Sequence, residues 1–268
     1  MFKAHYNSWS EFLASINHDI STGYDNPKWS GAYSVKHAVS MSTDGVPELE
    51  AKVANFVASI ETAPANTIKA FRQVYAEAGC RVDVARYISG REDCMVSKKR
   101  TLKNRPNGRL VKIGVSISAL CKVKTSCMEN RGAAICALIT RLETTGYRVQ
   151  LDVCSPQSIS PNQAPTAITT CNIKRFDDQL DLSRLCYCLI SPSMFRVLMF
   201  AWARTNHKLA PKDIPTYADA YGYSVNMPDG HEYDLYIPTI TKYMHEFETV
   251  DGTRNWLDTQ VKRITEQA

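Results

Sequence analysis

The sequence predicts an α/β fold, a mostly parallel sheet with helices on both faces, elaborated by a helical extension at the amino terminus. Three adjoining segments predict it. Leu110, Val111, Ile113, Val115 and Ile117 form a β-branched run from Leu110 to Ser118 with too little polar alternation for a sheet face open to water. Ile135, Leu138, Ile139 and Leu142 then recur at helical spacing between Met128 and Thr145, and Gly146 follows as a stop. Tyr147, Val149, Leu151 and Val153 alternate with Arg148, Gln150 and Asp152, a period-two strand that Ser155 and Pro156 are expected to end. Two strands joined through a helix of this length are parallel, with a right-handed crossover.

Residues 1–80 are assigned to the helical extension packed on the core, and residues 81–268 to the α/β core itself. Trp9, Phe12, Leu13 and Ile16 suit a short amphipathic helix starting near Ser8 or Ser10. Ser21 to Gly31 is rich in turn formers and reads as a loop, in which Tyr24 and Trp29 either anchor to the core or stack on bases. Pro47, Glu48 and Glu50 open a helix that runs to Ser59. A second helix is expected from Asn66 to Ala78, ended by Gly79, and a strand from Arg81 to Ile88. Beyond Pro156, a polar stretch bearing prolines reads as a surface loop. Ile168 to Phe176 and Leu185 to Ile190 are expected as strands, the second fully buried. Pro192 and Ser193 open an apolar helix, Lys208 to Gly230 is a long connection, and Tyr233 to Ile240 is a late strand that Pro238 places at an edge or an end. Trp256, Leu257, Val261 and Ile264 mark a closing surface helix.

Composition is that of a globular protein, with 268 residues and 44% hydrophobic content. No apolar run approaches the roughly 20 residues that cross a bilayer, and MFKAHYNSWSEF lacks the apolar segment of a signal peptide, so a soluble cytoplasmic protein without membrane contact is expected. The nine cysteines are scattered and odd in number, which favours reduced thiols in the core.

Charge supplies the strongest functional signal. The net charge is +5, yet no acidic residue occurs between Asp93 and Glu129. Lys98, Lys99, Arg100, Lys103, Arg105, Arg109, Lys112, Lys122 and Lys124 all fall in that window, where a hairpin or a flexible loop fits equally well. Gathered on one face, these cations would neutralise phosphates and release counterions. Lys98, Lys99, Arg100, Lys103, Arg105, Arg109, Lys122 and Lys124 are therefore the candidate nucleic-acid contacts; a solvated charged loop is the alternative.

Ser116, Ile117 and Ser118 close the first strand of the crossover. In that layout the stretch resembles von Willebrand factor A domains, whose first strand ends in Asp-x-Ser-x-Ser and holds a divalent ion. The resemblance covers about 45 residues and implies a von Willebrand A-like or Rossmann-like three-layer topology. Gly114 stands where the family has aspartate, and hydroxyls alone hold magnesium poorly, so no metal is expected. Asp83, Val84, Tyr87, Gly90, Cys94 and Met95, followed by Arg131, Gly132, Ala133 and Ala134, resemble a pattern in an uncharacterised group of tailed-bacteriophage proteins. That likeness implies a phage origin, and with it the cytoplasm of a host cell.

Catalytic signals are weak. There is no GxxxxGK[ST] loop, no GxGxxG and no GxSxG. His207, His231 and His245 are too far apart for a zinc motif, and Cys186 and Cys188, two apart on an expected strand, read as core. Glu92 and Asp93 offer a pair of carboxylates for a hydrolase. No cofactor is expected. The leading expectation is a non-enzymatic phage accessory protein binding nucleic acid, with single-stranded DNA foremost. A protein-interaction module with a phage or host partner is the second expectation, and the hydrolase the third. In open α/β sheets ligands sit beyond the carboxyl ends of the strands, here at Ser116, Ser118, Lys122, Lys124 and the loops after Asp152 and Ile190.

Overall fold

The computed structural model describes residues 1–23, 26–59, 68–78, 81–103, 109–119, 123–160, 163–215, 223–228, 232–241 and 244–266. The chain opens with strand β1 (Phe2–Tyr6), followed by helices α1 (Trp9–Ala14), α2 (Pro27–Ser30), α3 (Val35–Asp44) and α4 (Pro47–Ser59). Next come β2 (Ile68–Ala76), β3 (Arg81–Val82), α5 (Val84–Ile88) and β4 (Met95–Lys103). The crossover consists of β5 (Arg109–Ser116), α6 (Thr125–Thr144) and β6 (Tyr147–Ser158). After it lie β7 (Ala167–Lys174), α7 (Leu182–Ile190), a π-helical stretch Met194–Met199 continuing into α8 (Phe200–Asn206), β8 (Tyr223–Ser224), β9 (Leu235–Ile237) and α9 (Val250–Glu266).

These elements build two sheets. The main one has the order β1-β7-β6-β5-β9, with β8 added to β6, and the smaller has the order β2-β4-β3. As the sequence requires, β5 and β6 are parallel; β5 with β9 and β1 with β7 are parallel too. β7 and β8 run antiparallel to β6, so the sheet is mixed. The architecture is α/β, a mostly parallel mixed sheet flanked by helices.

One face of the main sheet carries Val111, Ile113, Val115, Val149, Leu151 and Val153, all buried against the helices. Helix α6 lies at the centre of that layer because its apolar stripe is unbroken: Ile135, Leu138, Ile139 and Leu142 are wholly buried, each contributing roughly 1.5–3 kcal/mol by removal from water. Gly132 allows α7 to approach, since a Cβ there would stand 2.4 Å from the Leu189 carbonyl oxygen. The amino terminus joins the same core. Phe12 of α1 meets Tyr6, Trp9 meets Tyr187 of α7, and the Trp202 indole donates to the Tyr6 hydroxyl at 2.6 Å.

Several elements differ from the sequence reading. The amino-terminal segment is not wholly helical, because Phe2, Ala4 and Tyr6 alternate with Lys3 and His5 and form an edge strand on β7. Residues 68–76, expected as helix, form β2, paired along its whole length with β4. Arg81 to Ile88, expected as a strand, is strand only to Val82; the Asp83 side chain then accepts from the Arg86 amide and starts α5. Leu185 to Ile190, expected as a buried strand, belongs to α7, capped by Asp181 and buried on every side by α3, α4 and α6. Burial all round removes the periodicity that separates helix from strand.

The strand β6 does not stop at Ser155 and Pro156 but runs on to Ser158. Proline is tolerated there for a geometric reason. The Pro156 carbonyl accepts from Val225 beside β8, so the nitrogen that lacks a hydrogen points to the side where β5 has already ended. The expected second helical layer is also replaced in part. The sheet face bearing Gly114, Asp152 and Asn172 is covered at Gly114 by Tyr233, from the extended segment before β9.

Candidate functional site

The basic window is distributed over three elements. Lys98, Lys99, Arg100 and Lys103 lie in β4, not in a loop. Arg109 is the exposed first residue of β5, and Lys124 is exposed at the start of α6. Arg105 and Lys122 lie outside the described residues. Strand β2 brings further cations that the helical reading had set apart: Arg72 is opposite Lys99, Phe71 opposite Arg100 and Lys69 opposite Leu102. Residues 68–103 hold nine Lys and Arg against four Asp and Glu, so this arm carries the whole net charge of +5 and the rest of the chain is balanced.

The base of the arm is ordered by local chemistry. The Arg86 guanidinium lies 3.7 Å from the Tyr75 ring centre and pairs with Asp93 at 2.5 Å, joining β2, α5 and the turn before β4. Gly90, at φ 73°, takes the left-handed conformation that ends α5. On the surface of α5, Val84, Tyr87 and Ile88 are 63%, 67% and 78% exposed, at spacing that sets them on one stripe.

The carboxyl edge of the main sheet is closed, contrary to the expectation of an open rim. Ser116 and Ser118 are buried, and their hydroxyls bond Thr239 at 2.8 Å and Ser155 at 3.3 Å. Arg131 fills the space beside them, donating to the carbonyls of Ser116 at 2.9 Å and Pro238 at 2.7 Å. Burial pushes its guanidinium down to about 10, still far above neutral, so it remains a cation held by the ends of β5 and β9. Gly114 also has a local explanation: a Cβ would stand 2.5 Å from the Tyr233 ring, which lies flat on the sheet there.

On that same face Asp152 is 1% exposed. Its Oδ1 accepts from Asn172 Nδ2 at 2.7 Å, and Gln150 Nε2 stands 3.4 and 3.5 Å from its two oxygens. The Cys154 thiol lies 3.4 Å from the Tyr233 hydroxyl. Burial pushes that thiol up to about 12 and raises the phenol well above its usual range, with the neighbouring thiol and Asp152 adding to the phenol's shift. Cys154 is thus a protonated thiol at neutral pH and a poor nucleophile. Along the sheet, His5 Nδ1 and Thr170 Oγ1 are 2.8 Å apart. A groove of about 520 Å³ opens over this face. Nothing in the sequence pattern singled out Asp152 beyond its polar place in an alternating strand.

The remaining candidates are separate. Glu92 is exposed and Asp93 is engaged by Arg86. His207 contacts the Ile214 carbonyl oxygen at 2.9 Å, His245 pairs with Glu248, and His231 lies outside the described residues. Cys186 and Cys188 are buried free thiols on a helix, not a strand. Trp29 packs on Phe200 and under the Arg196 guanidinium, 4.4 Å from its ring centre, as an anchor to the core. Tyr24 lies outside the described residues. Among the described residues no group of three or more His, Cys, Asp or Glu converges on a common point, and no single helix is long and apolar enough to cross a membrane.

Residues 1–265 match a single family model, described as a domain of unknown function. The chain belongs to the DUF7192 family. No curated protein and no solved structure matches it. In this member of DUF7192 the basic arm and the groove over the polar face are the two features that bear on function.

Proposed function

We propose that this protein is a phage accessory protein that binds nucleic acid through the basic arm, with single-stranded DNA as its substrate. The observation that carries this reading is the concentration of the entire net charge in residues 68–103, where β2 and β4 align Arg72 beside Lys99. Adjacent strands lie about 4.7–4.9 Å apart across the ladder, closer than successive phosphates of one strand, so a pair of strands that both carry cations can meet one backbone several times. Tyr87, on α5 of the same arm, stands exposed and supplies a ring on which a base can stack. The likeness to tailed-phage proteins at Asp83, Val84, Tyr87, Gly90, Cys94 and Met95 falls in the same arm and supports a phage setting. Arg109 and Lys124 extend the contact surface under this reading, together with Arg105 and Lys122.

The test is filter binding to single- and double-stranded DNA across a salt series. Affinity should fall steeply with salt and favour the single strand. Replacing Lys98, Lys99, Arg100, Lys103 and Arg105 by alanine should lower the slope of log affinity against log salt by about 3–4. Absence of binding at low salt, or no effect of the five replacements, overturns the proposal.

A second reading rests on the exposed stripe Val84, Tyr87 and Ile88. Apolar side chains so exposed on a short helix suit a protein partner, in line with an interaction module. A complex that survives nuclease treatment and is lost in Ile88→Asp would favour it.

A further inference from the structure

We propose that the small cavity beside Arg131, at the carboxyl ends of β5 and β9, is a binding site for a single monatomic anion, with chloride as its ordinary occupant. The site lies in the core and does not depend on the arm's binding nucleic acid.

Arg131 continues the stripe of Ile135, Leu138 and Leu142 by one turn toward the start of α6, a position where an apolar residue would suit the core. It is 5% exposed. A guanidinium donates from Nε as well as from both terminal nitrogens. Among the described residues, every hydrogen bond of Arg131 starts from Nη2, toward the carbonyls of Ser116, Pro238 and, at 3.5 Å, Ile237. Its Nε is buried and has no acceptor. The acids of the same helix are engaged elsewhere, Glu129 by Lys52 and Glu143 by Lys174. The titratable group whose charge acts on the guanidinium is the Tyr236 phenol, and burial raises that phenol above its usual range, so it is neutral at neutral pH. A cation is thus withdrawn from water with carbonyl dipoles on one side and no counter-charge on the other, an arrangement that an anion at Nε would complete.

The cavity supplies the place. It holds about 10 Å³ and is lined by Arg131, Ser191, Cys188, Met128 and, from the start of the π-helical stretch, Met194 and Phe195. That is room for one water-sized guest. Water suits it poorly: its own protons need acceptors, and among these side chains only the Ser191 hydroxyl offers one, already shared with Ser193 at 2.8 Å. An anion needs donors alone. No acidic residue is among those lining the cavity, and burial holds the Cys188 thiol protonated, so neither supplies a competing negative charge. The sulfurs of Met128, Met194 and Cys188 give the walls a polarisable character that suits a halide. Phosphate, sulfate and carboxylates are too large. Among halides, loss of hydration on burial favours bromide and chloride over the strongly hydrated fluoride.

Thermal unfolding of the full chain in sodium fluoride, chloride and bromide at one fixed ionic strength tests this. Replacing fluoride by chloride or bromide should raise the melting temperature along a single-site saturation curve, by about 2–4 °C near saturation. Unspecific salt action runs the other way, since the strongly hydrated anions are those that favour compact states. Arg131→Met should abolish the dependence on the anion, whereas alanine replacement of the arm cations should leave it whole. Diffraction from wild-type crystals grown in bromide gives a readout that needs no variant: an anomalous peak at hydrogen-bond distance from Arg131 Nε is expected, and a water or nothing in its place overturns the proposal. Equal melting temperatures in the three salts overturn it too, as does an anion dependence that persists in a folded Arg131→Met variant.

Discussion

In the main sheet, Ile113 and Val115 are completely buried between β6, β9 and the helices, whereas on the arm Val84 and Ile88 stand more than half exposed. Both regions contain strands paired over several residues, so backbone hydrogen bonding does not separate them. What separates them is where apolar area and charge are invested. The main sheet derives its stability from side chains removed from water by one packed helical layer. The arm has three strands, one described buried apolar residue in Val96, and more than twice as many cations as anions, among them the ion pair between Arg86 and Asp93. A region built that way contributes little to global stability and offers its charge to something else.

Substitutions in the two regions should accordingly differ in kind. Leu138→Ala, in the buried stripe of α6, should lower stability by about 2–5 kcal/mol, read as the shift in a denaturant midpoint at constant slope. Gly114→Ala should cost about 1–3 kcal/mol by pushing a methyl group into the Tyr233 ring, and intrinsic tyrosine fluorescence should change with it. If Gly114→Ala proves neutral, Tyr233 is free to leave the sheet and the polar face is more open than its packing indicates. Ile88→Ser, on the exposed stripe of the arm, should stay within about 0.5 kcal/mol of wild type. A loss as large as that of Leu138→Ala would show that the arm is part of the cooperative core, and the contrast between the two regions would fail.

The same contrast explains which parts of the molecule were legible in the sequence. The crossover from β5 through α6 to β6 was readable because each element has one face toward the core, so period and hydrophobicity agree. Helix α7 was not, because Leu185 to Ile190 is buried all round and reads as a strand; the signal that identifies it is Asp181, whose carboxylate accepts from the Arg184 amide. Asp83 marks the start of α5 in the same way. Strand β2 was misread because Ile68, Phe71, Val74 and Tyr75 also fit helical spacing, and only the pairing with β4 decides between them.

Of the candidate sites, the run of cations was visible as a charge imbalance, but its division between β4, β5 and α6 and its reinforcement by Lys69 and Arg72 depend on strand pairing. The polar face was invisible for a related reason. Asp152, Asn172, His5 and Tyr233 are spread over more than two hundred residues and meet only through register. The serines that resemble a metal-binding strand end are likewise explained by partners distant in sequence, Thr239 and Ser155.

The central claim is that the arm supplies affinity and the main sheet supplies stability. It is tested most directly by measuring, on one preparation, the melting temperature and the low-salt affinity for a single-stranded DNA oligonucleotide of the variant in which Lys98, Lys99, Arg100, Lys103 and Arg105 are alanine. The account expects an affinity loss of at least about a hundredfold with the melting temperature unchanged to within about 2 °C. Wild-type affinity in a folded variant, or a melting temperature that falls as it does for Leu138→Ala, would contradict it.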